Sequence, residues 1–401
     1  MRLSVALLKK PECNLVTQDL TPCSFLDITV IRRISSEKKE RLVYFNLKRK
    51  ISMKSKLLTL ELYAMPLLFT LAHGVSYAMP GMHGTEGGVA AEAPSASKSM
   101  GEPINSPGSE IEITYSADGK TAIFVSTREG SIESPGNPYN FDIWMSHNVE
   151  GVWQPPIHLG PDIDPTVGPN INTSAWELEP SFSDDGNVIY FTRYEPGELL
   201  SGDLYVVQKV DGVWQSAKNW NDVPELPNIN TPTGEEHCPI IVSDSLIYFN
   251  YSQPGVTQES DIWKVEKKDG VWQKPESLGS KINSPQRDHM HWTGLSKDGK
   301  SLVITSMRND LGSRGGHDMW ISHQDEKGEW REPVNLGDGI NTSGEEMCWT
   351  FTPDGKKFTG SWGPLNTFDT DIRWISKADI PLLKDFEPIG PPPNLLVNTG
   401  N

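Results

Sequence analysis

Five times between Ile104 and Phe386 the chain repeats one phrase, and that period limits what it can fold into more than any other feature. The Asp that opens each Asp-aliphatic-aromatic step falls at Asp142, Asp203, Asp261, Asp318 and Asp371, so successive copies lie 61, 58, 57 and 53 residues apart. Self-similarity at a period of this size belongs to stacked arrays and propellers, not to one aperiodic core. The fullest wording is Ile340-Asn341-Thr342, Glu346 and the turn Thr352-Pro353-Asp354-Gly355. Before it come Asp318-Met319-Trp320, Gly328-Glu329-Trp330, Glu332-Pro333 and Asn335-Leu336-Gly337.

Each copy reads as four strands. In the second, Glu179–Phe182 is the first strand and Ser183-Asp184-Asp185-Gly186 its turn. Asp-Gly between apolar runs marks a hairpin, because glycine accepts the positive φ that tight turns demand. Val188-Ile189-Tyr190-Phe191 follows as a β-branched and aromatic second strand, Asp203–Val207 is the third, and Gly212-Val213-Trp214 opens the outermost. One small antiparallel sheet cannot bury both its faces; flanking sheets must cover them, which accounts for an aromatic on each third strand. The expected fold is therefore all-β: a five-bladed β-propeller of four-stranded antiparallel blades over residues 102–390. The third copy has a shorter turn, Val242-Ser243-Asp244-Ser245. The fifth inserts a residue in Asp371-Ile372-Arg373-Trp374 and lacks the Gly-x-Trp step, so its last strand is expected at Lys384–Gly390.

The phrase Ile-Asn-Thr…Glu…Ser-x-Asp-Gly…Ser-x-Arg…Asp-Ile-Trp…Gly-x-Trp…Leu-Gly resembles the WD40-like repeat of TolB-type periplasmic propellers over about 70% of the chain. The resemblance implies an exported, periplasmic or secreted scaffold that engages a protein or cell-envelope polymer on one face of the disc. Fold does not fix function. The alternative is a glycan-cleaving hydrolase or lyase that uses carboxylates lining the channel.

Charge is unevenly divided. Residues 1–56 hold 13 Lys and Arg against 5 Asp and Glu, and the remainder holds 23 against 48. A surface with a net charge of −25 does not track a phosphate backbone, which excludes nucleic acid as a partner. Met53-Lys54-Ser55-Lys56, the apolar run within Leu57–Ala72 and Ser76-Tyr77-Ala78 follow the plan of a secretory signal over residues 53–78, with a mature start near Met79. A buried helix of an N-terminal domain is the competing reading. The apolar run is too short to span a bilayer, so the protein is not membrane-embedded. Residues 1–52 read as an untranslated or disordered leader, 79–101 as a disordered linker and 391–401 as an extended tail. A monomer is expected. Cys238 and Cys348 occupy one repeat position on non-neighbouring blades, too far apart for a bridge, and are expected as free, buried thiols.

In a propeller the first strands line the channel. Counting back six residues from each turn gives Glu110, Glu177, Glu236, Met290 and Glu346. Such a carboxylate ring could bind a cation or cleave a glycan, but a residue every blade requires is more often architecture. Arg128, Arg193 and Arg308 end second strands; they read as partners of those carboxylates between blades, or as a half-ring for an anionic ligand. Copies three to five depart from the pattern, through His237 beside Glu236, through Asp288, His289 and His291, and through Glu345 beside Glu346. Ligand binding is therefore expected at the mouth fed by those blades, contacting some of Glu236, His237, Asp288, His289, His291, Glu345 and Glu346, with Arg193 and Arg308 as further candidates. Histidine, cysteine and carboxylate at similar heights could suit Zn or Cu, yet no pair has metal-motif spacing, so neither metal nor cofactor is assigned. Met79–Glu86 could capture copper but reads as linker. Gly-x-Ser-x-Gly, His-Glu-x-x-His and Cys-x-x-Cys are all absent, so no catalytic residue is assigned.

Overall fold

The computed structural model describes residues 25–36, 39–50, 92–134, 139–195, 202–253, 260–309, 312–365, 367 and 369–396. The signal-like segment 53–78 and Met79–Glu86 lie outside them. The chain divides into two units, residues 1–72 and 73–401. In the first, Phe25–Ser36 pairs antiparallel with Lys39–Lys50, a ladder that the sequence reading does not anticipate.

The second unit carries five antiparallel sheets among its described residues. Blade one is built from Glu110–Tyr115, Thr121–Ser126 and Asp142–Val149; blade two from Trp176–Phe182, Val188–Tyr194 and Gly202–Val210. Blade three uses Glu235–Ser243, Leu246–Ser252 and Asp261–Lys268; blade four uses Asp288–Leu295, Ser301–Ser306 and Asp318–His323. Glu345–Phe351, Lys357–Gly363 and Asp371–Ser376 form blade five. The first strands touch in sequence around the channel and the fifth returns to the first, so the ring closes. An apolar cluster fills each junction between neighbours, five in all among the described residues, the last joining Ile372 of blade five to Ile113 and Phe124 of blade one. The five-bladed all-β fold read from the repeat is the fold observed.

The outermost strand is less regular than its motif suggests. In blades one to three it is two short pieces; in blade two Val213–Trp214 continues the third-strand hairpin and Lys218–Asn219 rejoins the ladder opposite Tyr205 and Val206. The hairpin turns Glu150-Gly151, Asp211-Gly212 and Asp269-Gly270 have positive φ at both central residues, the type I′ geometry that matches strand twist.

Blade five corrects an expectation. Its outer strand is Lys98–Ser99, pairing with Trp374 and Arg373, and not Lys384–Gly390. Two residues of the segment read as linker thus close the circle. Arg373 Nε donates to Ser97 Oγ at 2.7 Å, and the Lys98 ammonium lies 5.0 Å from the Trp374 ring centre. Ser296 instead bridges to Pro388, so the chain after Phe386 runs along blade four. The extra residue in this blade puts Arg373 at the ladder place that Trp144 holds in blade one, with Trp374 one step on, opposite Thr359. Cys238 and Cys348 are free and buried, as expected. No described helix is long and apolar enough to cross a membrane.

A two-residue strand holds the closure through a handful of hydrogen bonds, each worth roughly 1 kcal/mol net. A chain beginning at Met100 should therefore melt several degrees below one beginning at Glu92. Equal melting temperatures in scanning calorimetry would show that Lys98–Ser99 is ornamental to the closure.

Candidate binding site at the channel centre

The Ile-Asn-Ser/Thr motif explains the carboxylate ring. Each Asn precedes a blade and clamps the third strand of the blade before it: Asn172 accepts from Ile143 N at 2.9 Å and donates to Ile143 O at 2.8 Å. Asn230, Asn283, Asn341 and Asn105 do the same to Leu204, Ile262, Met319 and Ile372. The next residue then holds the ring carboxylate of its own blade. Thr173 N and Oγ1 donate to Glu177 at 3.1 and 2.7 Å, and Ser106, Thr231, Ser284 and Thr342 serve Glu110, Glu236, Asp288 and Glu346 in the same way.

The fifth ring member is therefore Asp288, not Met290. Asp288 pairs with Ser306 as Glu110 pairs with Ser126, whereas Met290 stands two residues further along. His237 corresponds to His289 rather than to His291 by the same register. The arginines also differ from expectation, because they bond within their own blade: Arg128 to Glu110 at 3.2 Å, Arg193 to Glu177 at 2.9 Å and Arg308 to Asp288 at 3.0 Å. Each also lies against its third-strand aromatic, Arg193 at 4.5 Å from the Tyr205 ring centre. Burial raises the four ring glutamates despite their donors, Glu110 in direction alone, Glu177 and Glu236 to about 7 and Glu346 to about 8. Glu236, Asp288, Glu346, Arg193 and Arg308 thus sit in the blade walls.

One level further along the first strands lies a second polar ring that the sequence reading did not isolate. Every first strand is bulged here. In blades one, two, three and five, two residues oppose one, and the first of the pair takes a positive φ: Glu112 at 60°, Glu179 at 57°, Cys238 at 51° and Cys348 at 56°. A left-handed backbone at a non-glycine residue costs on the order of 1 kcal/mol, and bulges re-aim side chains. Blade four bulges harder. Four residues, His291 to Gly294, stand against Val303 alone, and a Cβ at Gly294 would meet Val303 O at 2.6 Å.

The bulges join the blades across the channel. Glu112 accepts from Glu179 N at 2.6 Å; Glu179 accepts from Cys238 N and pairs with His237 Nδ1, both at 2.7 Å. Cys238 Sγ lies 3.5 Å from His291 Nδ1, His317 Nδ1 lies 2.8 Å from Glu345, and Cys348 Sγ lies 3.7 Å from Glu112. Tyr194 donates to Glu235 at 3.1 Å, and Arg287 stands 3.9 Å from the same carboxylate. His289 sits among three other imidazoles, its ring centre 4.9 Å from that of His237, 6.1 Å from His291 and 6.2 Å from His317. The space they surround is a cavity of about 40 Å³.

Of the residues singled out in the sequence, His237, His289 and His291 line this cavity, and Glu345 holds its His317. Glu112, Glu179, Tyr194, Glu235, Arg287 and His317 were missed. The two glutamates had a signal: they share with Cys238 and Cys348 the position two residues after the ring carboxylate. Glu235 and Arg287 share the position just before the ring carboxylate, whereas Tyr194 ends a second strand and His317 precedes a third, and no repeat position connects those two.

Burial dominates the electrostatics. It raises the Glu112 carboxyl well above the usual range, with the Glu179 charge adding to it. Burial opposes the Glu179 charge too, but His237 and the Thr192 hydroxyl overcome it, so that carboxyl stays low and His237 is raised in turn. Burial pushes His289 well down and His291 down to about 4, against the pull of Glu179. His289 Nε2, His291 Nε2 and Glu235 Oε2 are buried without a hydrogen-bond partner. Such atoms are costly, and they are the groups a bound molecule would satisfy. Among the described residues no three His, Cys, Asp or Glu side chains converge closely enough to hold a metal ion.

No protein-family model and no curated protein matches the chain. Among solved structures it is similar to a protein of unknown function from Dyadobacter fermentans, at 16% identity and a TM-score of 0.41, covering 74% of this chain and 87% of that one. TolB from Acinetobacter baumannii gives 16% identity and a TM-score of 0.37 over 71% of this chain and 57% of that one. The alpha-L-arabinofuranosidase from Lactobacillus brevis gives 11% identity and a TM-score of 0.39 over 73% and 96%. The chain thus spans little more than half the length of that TolB. At these identities no activity transfers, and the propeller rests on the chain's own five sheets.

A neutral His291 sets a pH dependence. Below about 6.5 the unfolded chain takes up a proton that the folded imidazole refuses until about pH 4, so this contribution to stability is lost as pH falls through that window. The loss is about 3 kcal/mol for a shift of this size. In His291→Asn, stability from urea denaturation should fall less between pH 7 and pH 4 than in the parent by about that amount. Parallel curves would refute the assignment, since the raised carboxyls act equally in both proteins.

Proposed function

We propose that the protein is an exported propeller scaffold that binds a protein or cell-envelope polymer on one face, with the histidine-rich channel centre of blades three to five as part of the contact. One observation carries this reading: every carboxylate of the outer ring is already held by the Ser or Thr of its own motif, three of them also by arginine, and none is left as an acid–base pair. Export is supported by the basic start, apolar run and Ser76-Tyr77-Ala78. The unsatisfied imidazole nitrogens of His289 and His291 supply polar groups for a partner to meet.

A second reading has its own support. Side by side, the Glu112 carboxyl is pushed above and the Glu179 carboxyl held below the usual carboxylate range, the kind of divergence that acid–base catalysis uses. Against it stands the cavity of about 40 Å³, which admits water-sized groups and not a sugar ring.

Purified protein incubated with peptidoglycan sacculi separates the two. Retention in the pellet without new reducing ends is expected. Reducing ends released by the parent and lost in Glu112→Gln would overturn the scaffold reading in favour of hydrolysis. Neither retention nor release would confine the partner to protein.

A further inference from the structure

Beyond the histidine level the same channel opens into a second cavity with different chemistry. The first strands that carry Glu112, Glu179, His291 and Cys348 continue to Tyr115, Phe182, Trp292 and Phe351, and these aromatics wall a cleft of about 400 Å³ at the mouth formed by the first hairpin turns. No residue of blade three lines it among the described residues. That blade turns on Asp244-Ser245 alone, two residues tighter than its neighbours.

The C-terminal segment bounds the cleft. It leaves blade four with Lys297 N donating to Glu387 O at 2.8 Å and Ile389 N to Leu295 O at 2.9 Å. It reaches blade two where Asp184 N donates to Pro392 O at 2.6 Å and the Tyr190 hydroxyl to Pro393 O at 3.2 Å. Leu395 and Leu396 then pack against the core between blades two and three. The segment is a chord across the mouth, and the cleft lies against residues Glu387 to Pro392 of it.

We infer that this cleft is a binding site for a neutral mono- or disaccharide. Its volume falls in the roughly 300–1,000 Å³ range of small-molecule sites. Aromatic walls alternate with hydroxyls, as a ligand with apolar C–H faces and a polar rim requires. Two buried donors in the wall have no partner, Ser181 Oγ on a residue 1% exposed and Trp292 Nε1 on one 3% exposed. Thr293 and Thr350, 2.7 Å apart, add a hydroxyl pair. Nothing selects an ion. Lys297 and Lys377 are matched by Asp354 and Glu387, Asp354 is engaged by Thr352 and Lys356, and Lys377 Nζ donates to Phe386 O at 2.8 Å. The acidic chain would repel an anion. The inference does not rest on the scaffold reading, because the two cavities use different residues along the strands.

The test is titration of the full chain with glucose, N-acetylglucosamine, maltose and cellobiose, followed by tryptophan fluorescence and by saturation-transfer NMR. Saturable binding of at least one sugar is expected. Ser181→Ala and Trp292→Phe should each weaken it roughly fivefold or more, the worth of one hydrogen bond. Melting curves establish that each variant folds; if one does not, the other decides. No saturation by any of the four up to about 50 mM, a binding energy of under about 2 kcal/mol, would overturn the assignment. So would saturable binding that both folded variants retain unchanged.

Discussion

The asparagine between blades is the interaction on which the rest depends. A propeller has no covalent tie between its sheets except the connecting chain, so their relative placement has to be set by packing and by directed bonds. Each motif Asn donates to and accepts from one residue on the third strand of the preceding blade, as Asn341 does at Met319. That satisfies the N–H and gives the C=O, which at Met319 already accepts from Leu336 N at 3.0 Å, a second donor; buried backbone groups are rarely left unpaired. Because the adjacent Ser or Thr grips the ring carboxylate of the following blade, one three-residue phrase couples two sheets. At Asn105 the same device couples blade five to blade one, and the circle is closed by bonding as well as by packing.

This arrangement sorts the polar residues of the channel. A carboxylate that every blade needs for its own join is occupied and protected from solvent, which explains why burial can raise Glu346 to about 8 without leaving it unpaired. Residues that differ between copies are under no such demand. They collect one level deeper, where the bulges point them at one another, and blade four departs most. Its two additional bulge residues carry His291 and Trp292 to the boundary between the small histidine-lined space and the larger aromatic cleft, so each cavity takes one wall from the same irregularity.

The fold was legible because its signal is periodic: the spacing of Asp142, Asp203, Asp261, Asp318 and Asp371 states both the number of blades and the direction of each third strand. The closing strand was not legible. Lys98–Ser99 is two residues long, has no apolar alternation and lies in a Gly/Ala/Ser/Glu-rich stretch, so nothing local distinguishes it from linker. The site was half legible. Departures of His237, His289 and His291 from the repeat pointed to three residues that line the channel-centre cavity. Counting back from the turn failed in blade four because the bulge adds two residues between Asp288 and its turn, which shifted the count onto Met290. His317, Tyr194 and Arg287 come from outside the first strands proper, and only the three-dimensional ring brings them in.

Five blades also set what each level of the channel can hold. The bulge residues Glu112, Glu179, Cys238 and Cys348 stand in a ring so tight that side chains reach the backbone or side chains of the next blade directly, at 2.6 Å between the Glu112 carboxylate and Glu179 N and at 2.7 Å between Glu179 and His237. Polar groups that close on one another leave room for little besides water, and the about 40 Å³ that remains agrees with this. Any ligand larger than that has to sit at a mouth and reach inward with one group. At the turn-side mouth the constraint relaxes, because first strands end in diverging hairpins and blade three turns early. A chord of the chain's own C-terminal segment, and not a sixth blade, spans what would otherwise be an open end. The narrowness of the ring is thus what separates a buried, proton-sensitive centre from an accessible cleft on one continuous set of strands.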